Sequence, residues 1–201
     1  MSGGATPRLY LATEQPADEL LASDPLALLI GMLLDQQVPM ERAFVAPYRL
    51  AERLGTERLD ATAIASYDPE ALAEIFATPP ALHRFPGSMA ARTQKLCAAI
   101  VESHDGDAAA VWSDVSTGAE FVKRLQALPG FGKAKAQIFA ALLAKQFGVR
   151  PEGWQEATGE YGQNDAFRSV ADITDDDSLQ KVREHKQQVK AAAKAAKGGG
   201  G

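Results

Sequence analysis

The sequence predicts an all-α fold. Apolar residues recur at helical spacing through most of the chain, and no stretch shows the sustained alternation typical of a half-buried β-strand. Prolines, glycines and acidic residues stand where the predicted helices begin and end. With 46% hydrophobic and 23% charged residues among 201, the composition is that of a globular protein with one domain or two small lobes.

The predicted helices follow one another closely. The first begins at a cap formed by Ser23 or Asp24 and runs through LALLIGMLLDQQ, whose apolar residues on all sides indicate a central, buried helix. The second ends at Gly55 and the long amphipathic one ends near Asp105. After the first helix, the predicted helical segments in chain order are MERAFVAPYRLAERLG, DATAIASY, DPEALAEIF, MAARTQKLCAAIVESH, GAEFVKRLQAL and KAKAQIFAALLAKQFG.

The amino-acid composition of the chain changes after Val149. The segment RPEGWQEATGEYGQND is polar and rich in glycine, which predicts a long ordered loop or a lobe boundary. We therefore expect one helical lobe at 24–148, which contains a helix-hairpin-helix with its hairpin near 121–144. The second lobe would combine 1–23 with 149–187, and 188–201 would be a basic, glycine-rich tail that frays.

Several classes of protein are disfavoured. The longest apolar run, LALLIGMLL, is far shorter than the roughly 20 residues of a membrane-spanning helix. The amino-terminal MSGGATPRLY lacks the pattern of a secretory signal, so a cytoplasmic location is expected.

Cys97, the single cysteine, is expected to be buried and inert. The three histidines, His83, His104 and His185, are far apart, so no metal site is expected.

The segment LPGFGKAKA at 128–136 carries the most specific signal for function. A proline and two glycines interrupt two helices, so the backbone can turn tightly and approach another group closely. Amides around Gly130 and Gly132, with those at the start of the second helix, could bind a phosphate, and Lys133 and Lys135 add positive charge. The alternative is a glycine-capped helical hairpin that only packs.

This order of motifs resembles the helix-hairpin-helix (HhH-GPD) DNA glycosylase superfamily, which includes endonuclease III and the adenine glycosylases. The resemblance rests on LPGFGKAKA, on LLIGMLLDQQVPMERA and on HRFPGSMAARTQKLCAAIVESHDGD, over roughly 24–148. It is strongest to an actinobacterial base-excision repair subgroup, for which it extends over nearly the full chain. The resemblance implies a two-lobe helical fold that grips double-stranded DNA across a cleft.

The resemblance also implies roles for individual residues. Members of the family extrude a damaged nucleotide, and a side chain of the central helix fills the vacated space. Gln37 falls at that position, with Gln36 beside it as support. The DNA backbone would contact the hairpin at Gly130, Phe131, Gly132, Lys133 and Lys135. The cysteine cluster of some relatives is missing, so no iron–sulfur cofactor is implied, whereas a monovalent cation at the hairpin stays open.

The catalytic carboxylate departs from the family pattern. Relatives place an aspartate shortly after the second hairpin helix, where this chain reads FGVRPEGWQEATGEYG without any aspartate. Glu152 is the nearest carboxylate in register, and Asp35, beside Gln36, is the second candidate. The lysine nucleophile of bifunctional members aligns with Ala134, which implies a monofunctional enzyme. The aromatic residues that could stack on an extruded base are Phe131, Tyr48, Trp154 and Tyr161.

The leading hypothesis is a base-excision DNA repair glycosylase, a monomeric and nucleoid-associated hydrolase that removes a damaged or mispaired base. The alternative is a non-catalytic protein that recognises damaged or distorted DNA. A Glu152 carboxylate inside the cleft would favour the enzyme, whereas an exposed one would favour the alternative. The formal net charge of −5 argues mildly against nucleic acid. The basic segment at 181–197 could offset it by following phosphates, or could be a solvated tail.

Overall fold

The computed structural model describes residues 6–198 of the chain. This part contains ten α-helices, three short 3-10 helices and no β-strand, which confirms the predicted all-α fold. The helices in chain order are α1 (Gln15–Ser23), α2 (Pro25–Leu34), α3 (Met40–Leu54), α4 (Ala61–Ala65), α5 (Pro69–Ala77), α6 (Pro86–His104), α7 (Gly118–Gln126), α8 (Lys133–Gln146), α9 (Trp154–Thr158) and α10 (Asp176–Gly198). The 3-10 helices are Ala108–Val111, Gly159–Gly162 and Val170–Asp172.

Acidic residues cap several of these helices, as the sequence predicts. The Asp24 carboxylate accepts hydrogen bonds from the amides of Leu26 and Ala27 at the start of α2, and from the amide of Leu59. Asp60 and Asp68 cap α4 and α5 in the same way. Such caps satisfy amides that have no partner within the helix and stabilise it by about 1 kcal/mol each.

Helix α2 is the centre of the molecule. Every residue from Leu26 to Leu34 is buried, and the helix packs against α1 and α3. A Cβ atom on Gly31 would lie 2.7 Å from the Phe44 ring of α3, so the absence of a side chain at this position allows close packing. The amphipathic helices α4 and α5 pack on α6, and α7 pairs with α8 as a hairpin.

The carboxyl end of α2 differs from the prediction. The helix ends at Leu34, so Asp35, Gln36 and Gln37 form a corner before α3 instead of a further helical turn. The reason is long-range hydrogen bonding, because carbonyl groups of the last turn accept hydrogen bonds from His83 and Lys135. Neither partner is close to this segment in sequence.

The segment after α8 is more regular than a loop. It forms α9 and a 3-10 helix, and both pack on α8, whereas residues 15–23 pack on α2 and α3. A Cβ atom on Gly118 would lie 2.5 Å from the Gly153 carbonyl oxygen, so the start of α7 touches the start of α9 directly. The division of the chain into two lobes at residue 149 remains a prediction.

The basic carboxyl-terminal segment is helical. Helix α10 continues to Gly198, while 199–201 lie outside the described residues, and the fraying expected from residue 188 stays a prediction. Alanine is the strongest helix former, and the sequence AAAKAAK therefore supports a helix even without packing. Only the first turns of α10 are anchored in the core, through Leu179 and Val182.

Other expectations concern membranes, metals and the thiol. None of the described helices is long and apolar enough to cross a membrane. Within residues 6–198, no group of three or more His, Cys, Asp or Glu side chains is placed to hold a metal ion. Cys97 is fully buried on α6, and burial raises the pKa of its thiol to about 12, so the thiol is unreactive at neutral pH.

Candidate functional site

The corner between α2 and α3 contains two glutamines, of which Gln37 is exposed and Gln36 is hydrogen-bonded within the protein. Gln37 is exposed and has φ of +57°, a left-handed conformation that a residue with a side chain adopts rarely. Gln36 is partly buried, and both ends of its side-chain amide are engaged. Its nitrogen donates to the Leu33 carbonyl at 2.8 Å, and its oxygen accepts from Arg92 at 3.2 Å. The corner is therefore fixed by Gln36 and displays Gln37.

His83 holds this corner from a distant part of the chain. Its Nε2 atom donates to the carbonyl oxygens of Leu34 at 3.1 Å and Gln36 at 2.9 Å. Its Nδ1 atom accepts the amide of Phe85 at 3.1 Å, which fixes the neutral tautomer with the proton on Nε2. Burial lowers the pKa of His83, although both carbonyl contacts oppose the shift. The site thus includes His83, to which the sequence analysis assigned no role.

The surroundings of the two hairpin glycines differ, so the absence of a side chain has a different consequence at each position. Gly130 has φ of +84°, and a Cβ atom there would lie 2.4 Å from a methyl carbon of Leu33 in α2. Gly132 has φ of −67°, and its Cβ position meets nothing within 4 Å. The protein fold itself therefore requires glycine at 130 only. At 132, the missing side chain leaves open space outside the protein, next to the start of α8.

The start of α8 is a site suited to an anion. Amides in the first turn of a helix have no intrahelical partner, and those of Lys133, Ala134 and Lys135 donate to no group among the described residues. Gly132 caps this helix without a side-chain hydrogen bond. Lys133 is exposed at this end. The arrangement can bind a phosphate oxygen with backbone donors and a nearby positive charge.

Phe131 and Lys135 point elsewhere. The Phe131 ring is buried against Phe139 with centroids 5.9 Å apart, and its amide donates to the Leu128 carbonyl. Neither its ring nor its amide is therefore free for the expected DNA contact, which stays a prediction. The Lys135 ammonium donates to the carbonyls of Met32 at 2.7 Å and Leu33 at 3.1 Å. Lys135 thus caps the carboxyl end of α2 instead of extending toward a phosphate.

A pocket of about 350 Å³ opens beside the end of α2. Asp35 lies in its wall, and its other walls come from α8, the segment 160–170 and α10. Most of the lining surface is apolar, although five of the twelve lining residues are aspartate, glutamate, lysine or arginine. The lining side chains are Asp35, Ile138, Glu160, Tyr161, Arg168, Ser169, Val170, His185, Lys186, Val189, Lys190 and Ala193.

Asp35 is electrostatically unusual. Desolvation by burial raises its pKa above 3.8, while the charges of Lys186 and Lys135 partly oppose this shift. Its carboxylate accepts no side-chain or backbone hydrogen bond from residues 6–198, so its oxygen atoms are available to a bound molecule. A desolvated carboxylate in a pocket can stabilise positive charge or accept a proton from water. Such a group is a candidate catalyst.

Glu152 lies elsewhere in the structure. Its side chain is exposed, and it is absent from the wall of the pocket that contains Asp35. Its backbone pairs with the start of α7, where its amide donates to Ser116 and its carbonyl accepts from Gly118. This backbone pairing explains where Glu152 lies, because the close contact between Gly118 and Gly153 fixes the segment that carries Glu152 against the start of α7. The structure brings Asp35, Gly130 and Lys135 together around the end of α2 but leaves Glu152 outside.

The pocket contains residues that sequence analysis did not identify as site residues. Of the four aromatic candidates, Tyr161 lines it, whereas Tyr48, Phe131 and Trp154 do not. Glu160 and Arg168 form an ion pair of 2.9 Å at its edge. His185 and Lys186 come from α10. The basic character of α10 was visible in the sequence, but no local pattern indicated that this helix would reach Asp35.

Comparison with known protein families gives one match. A family model described as "HhH-GPD superfamily base excision DNA repair protein" matches residues 30–198, which is most of the chain. The match includes the corner after α2, the hairpin and every residue that lines the pocket. No curated protein and no solved structure matches the chain.

Proposed function

Because the chain belongs to the HhH-GPD superfamily of base excision DNA repair proteins, we propose that it is a monofunctional DNA glycosylase. It extrudes a damaged or mispaired nucleotide from duplex DNA and hydrolyses the N-glycosidic bond. The extruded base enters the pocket beside Asp35. Extrusion is required because the bond to be broken is inaccessible within a stacked duplex.

The position of Asp35 in the pocket carries this proposal. Cleavage of a glycosidic bond develops positive charge on the sugar ring, and a carboxylate close to that ring stabilises the transition state. The same carboxylate can orient or deprotonate the attacking water. Asp35 suits both tasks because it is desolvated and its oxygen atoms accept no hydrogen bond from the described residues. Tyr161, in the pocket wall, is placed to stack on the base.

The lysines of the hairpin support hydrolysis without strand cleavage. The position of the lyase lysine in bifunctional relatives is Ala134 in this chain. Lys135 holds its ammonium group on two carbonyl oxygens of α2, and Lys133 is exposed at the start of α8. Burial lowers the pKa of Lys135, but its side-chain nitrogen is held on two carbonyl oxygens at the end of α2, so Lys135 is not directed to replace the missing lysine.

The remaining features of the site serve DNA binding. The free amides at the start of α8 and the open space at Gly132 accept a backbone phosphate, which anchors the duplex without reading its sequence. Gln37, displayed by the corner, enters the duplex where the nucleotide has left. Its amide can donate to or accept from the orphaned base.

A second function is favoured by one observation. Glu152, the carboxylate nearest to the family's catalytic aspartate, is exposed and lies outside the pocket. If Asp35 does not act in catalysis, the same hairpin and Gln37 would recognise damaged DNA without cleaving it. The two functions differ in the release of a base and share DNA binding.

An excision assay tests the proposed function. The purified protein is incubated with duplexes that carry uracil, alkylated purines, oxidised purines or mismatches, and each product is divided into samples with and without alkali. We expect strand breaks on one class of lesion that appear only after alkali, which reveals abasic sites. Breaks without alkali would contradict monofunctional action. Binding without any abasic product on the panel would favour the recognition function.

A further inference from the structure

Helix α10 carries a row of lysines on one side. Lys186, Lys190, Lys194 and Lys197 follow one another at helical spacing. At 100° per residue these four positions fall within an arc of about 80°, and they span about 16 Å along the helix axis. We call this set the lysine row. No acidic residue occurs among 185–197, and Glu184, the acidic residue before them, lies about 120° around the helix from the middle of the row.

The lysine row has no partner within the described protein. None of its four ammonium groups forms an ion pair or hydrogen bond with residues 6–198, although Lys181 and Arg183, earlier in α10, pair with Asp177 and Glu41. All residues from 186 to 197 are exposed. Like charges four residues apart destabilise a helix by about 0.2–0.5 kcal/mol per pair, so this arrangement is unfavourable for the isolated protein.

The row is continuous with the pocket. Lys186 and Lys190 line it, and the charge of Lys186 acts on Asp35. Lys194 and Lys197 continue along the projecting half of the helix, away from the anchored turns at Leu179 and Val182. A linear array of positive charge that begins at the pocket and extends outward complements a linear array of phosphates. The whole chain, with the lysine row included, has a formal net charge of −5, so the rest of the protein provides little such attraction.

We propose that the lysine row of α10 binds the phosphate backbone of duplex DNA beyond the nucleotide that enters the pocket. This inference rests on the proposed function for the place of the pocket, and it adds a separate interaction surface. The row contributes affinity without sequence preference, because phosphates carry no base information. Each lysine that neutralises a phosphate releases a counterion, so the contribution weakens as salt concentration rises.

The salt dependence of binding tests the lysine row. Affinity for an undamaged duplex is measured by fluorescence anisotropy over a series of NaCl concentrations for the wild type and for K194Q/K197Q. These two lysines do not line the pocket. If both contact phosphates, the slope of log K against log salt becomes shallower by about 1.8. K194R/K197R, which retains the charges, should keep the wild-type slope.

A matched control removes the same charge elsewhere. Lys95 on α6 and Arg8, which precedes α1, are exposed and form no ion pair with the described residues, so R8Q/K95Q should keep the slope. The proposed contact of the lysine row with DNA would be overturned by an unchanged slope in K194Q/K197Q or by an equal change of slope in both double variants. It would also be overturned if the protein bound no DNA at all. Base excision is measured separately at low salt. A shallower slope without excision would reject the proposed function alone, and excision without a change of slope would reject this inference alone.

Discussion

At the scale of the residue, Gln37 combines exposure with backbone strain. A residue with a side chain in the left-handed region is disfavoured by about 1–2 kcal/mol relative to its ordinary conformation. The hydrogen bonds of His83 and Gln36 hold the corner in this conformation. Strained positions of this kind cluster at functional sites, where the surrounding structure imposes them. The backbone that carries Gln37 is therefore held in one conformation, which would suit the proposed entry of its side chain into DNA.

Removal of the Gln37 side chain should affect damaged duplexes selectively. Gln37→Ala deletes the group that fills the vacated stack, so we expect affinity for a lesion-containing duplex to fall several-fold, with a smaller change for single-stranded DNA. Anisotropy with both probes measures the difference. Gln37→Gly should show the same binding defect and be at least as stable as Gln37→Ala, because glycine adopts this φ without strain. Equal losses on both probes would remove the wedge assignment.

His83 should make the stability of the corner depend on pH. Its folded-state pKa is lowered by burial from 6.5, so below that pH the unfolded chain binds a proton that the folded chain does not. The free energy of unfolding is therefore expected to fall as pH decreases below 6.5, by at most about 1.4 kcal/mol per pH unit from this group. The free energy of unfolding is measured by urea unfolding at pH 7 and pH 5.5. In His83→Gln, the part of its decrease between these pH values that comes from His83 should be absent.

The control for His83 is another histidine. His104 lies at the end of α6 and is partly exposed, so His104→Gln should retain the pH dependence of the wild type. The His83 account would be wrong if the two variants showed the same difference between the two pH values.

At the scale of the element, the two hairpin glycines separate folding from binding. Gly132→Ala adds a methyl group in open space at an ordinary φ, but alanine is a poorer N-cap than glycine, so we expect stability to change by no more than about 1 kcal/mol. The same methyl group obstructs a phosphate at the start of α8, and affinity for all duplexes should fall. Urea unfolding and anisotropy measure the two effects.

Gly130→Ala is the matched variant. It places a Cβ atom at positive φ against Leu33, so it should destabilise the protein by more than about 1 kcal/mol. Full DNA affinity in Gly132→Ala at low salt would exclude phosphate binding at this position. A large loss of stability in Gly132→Ala would show instead that this glycine serves the fold.

The seven helices from α2 to α8 were predictable because their signals are local. Asp60, Asp68 and Gly55 mark helix ends through contacts with residues up to five positions away. The end of α2 was placed three residues too late, because it is set by His83 and Lys135, about 50 and 100 residues away. Helix α9 was missed for a similar reason, since its packing on α7 and α8 has no signature within its own short sequence.

At the scale of the whole molecule, the pocket illustrates the limit of prediction. Asp35 could be identified as a candidate because it follows a buried apolar helix. Its neighbours Glu160, Tyr161, Arg168 and Lys186 come from separate segments that only the tertiary fold brings together. The resemblance also directed attention to Glu152 through its register with relatives, but register along a chain does not determine which way a side chain faces. Exposure and the lining of the pocket therefore distinguish the two carboxylates.

The most direct test of the central claim compares these two carboxylates in one assay. Single-turnover release of the base is measured with enzyme in excess over a duplex carrying the lesion identified by the excision panel. Asp35→Asn, which retains the size of the side chain and removes its charge, should lower the rate by about 10²–10³-fold, as loss of a transition-state stabiliser does. Glu152→Gln should leave the rate unchanged. Near-wild-type release by Asp35→Asn, or a large loss in Glu152→Gln, would contradict the account.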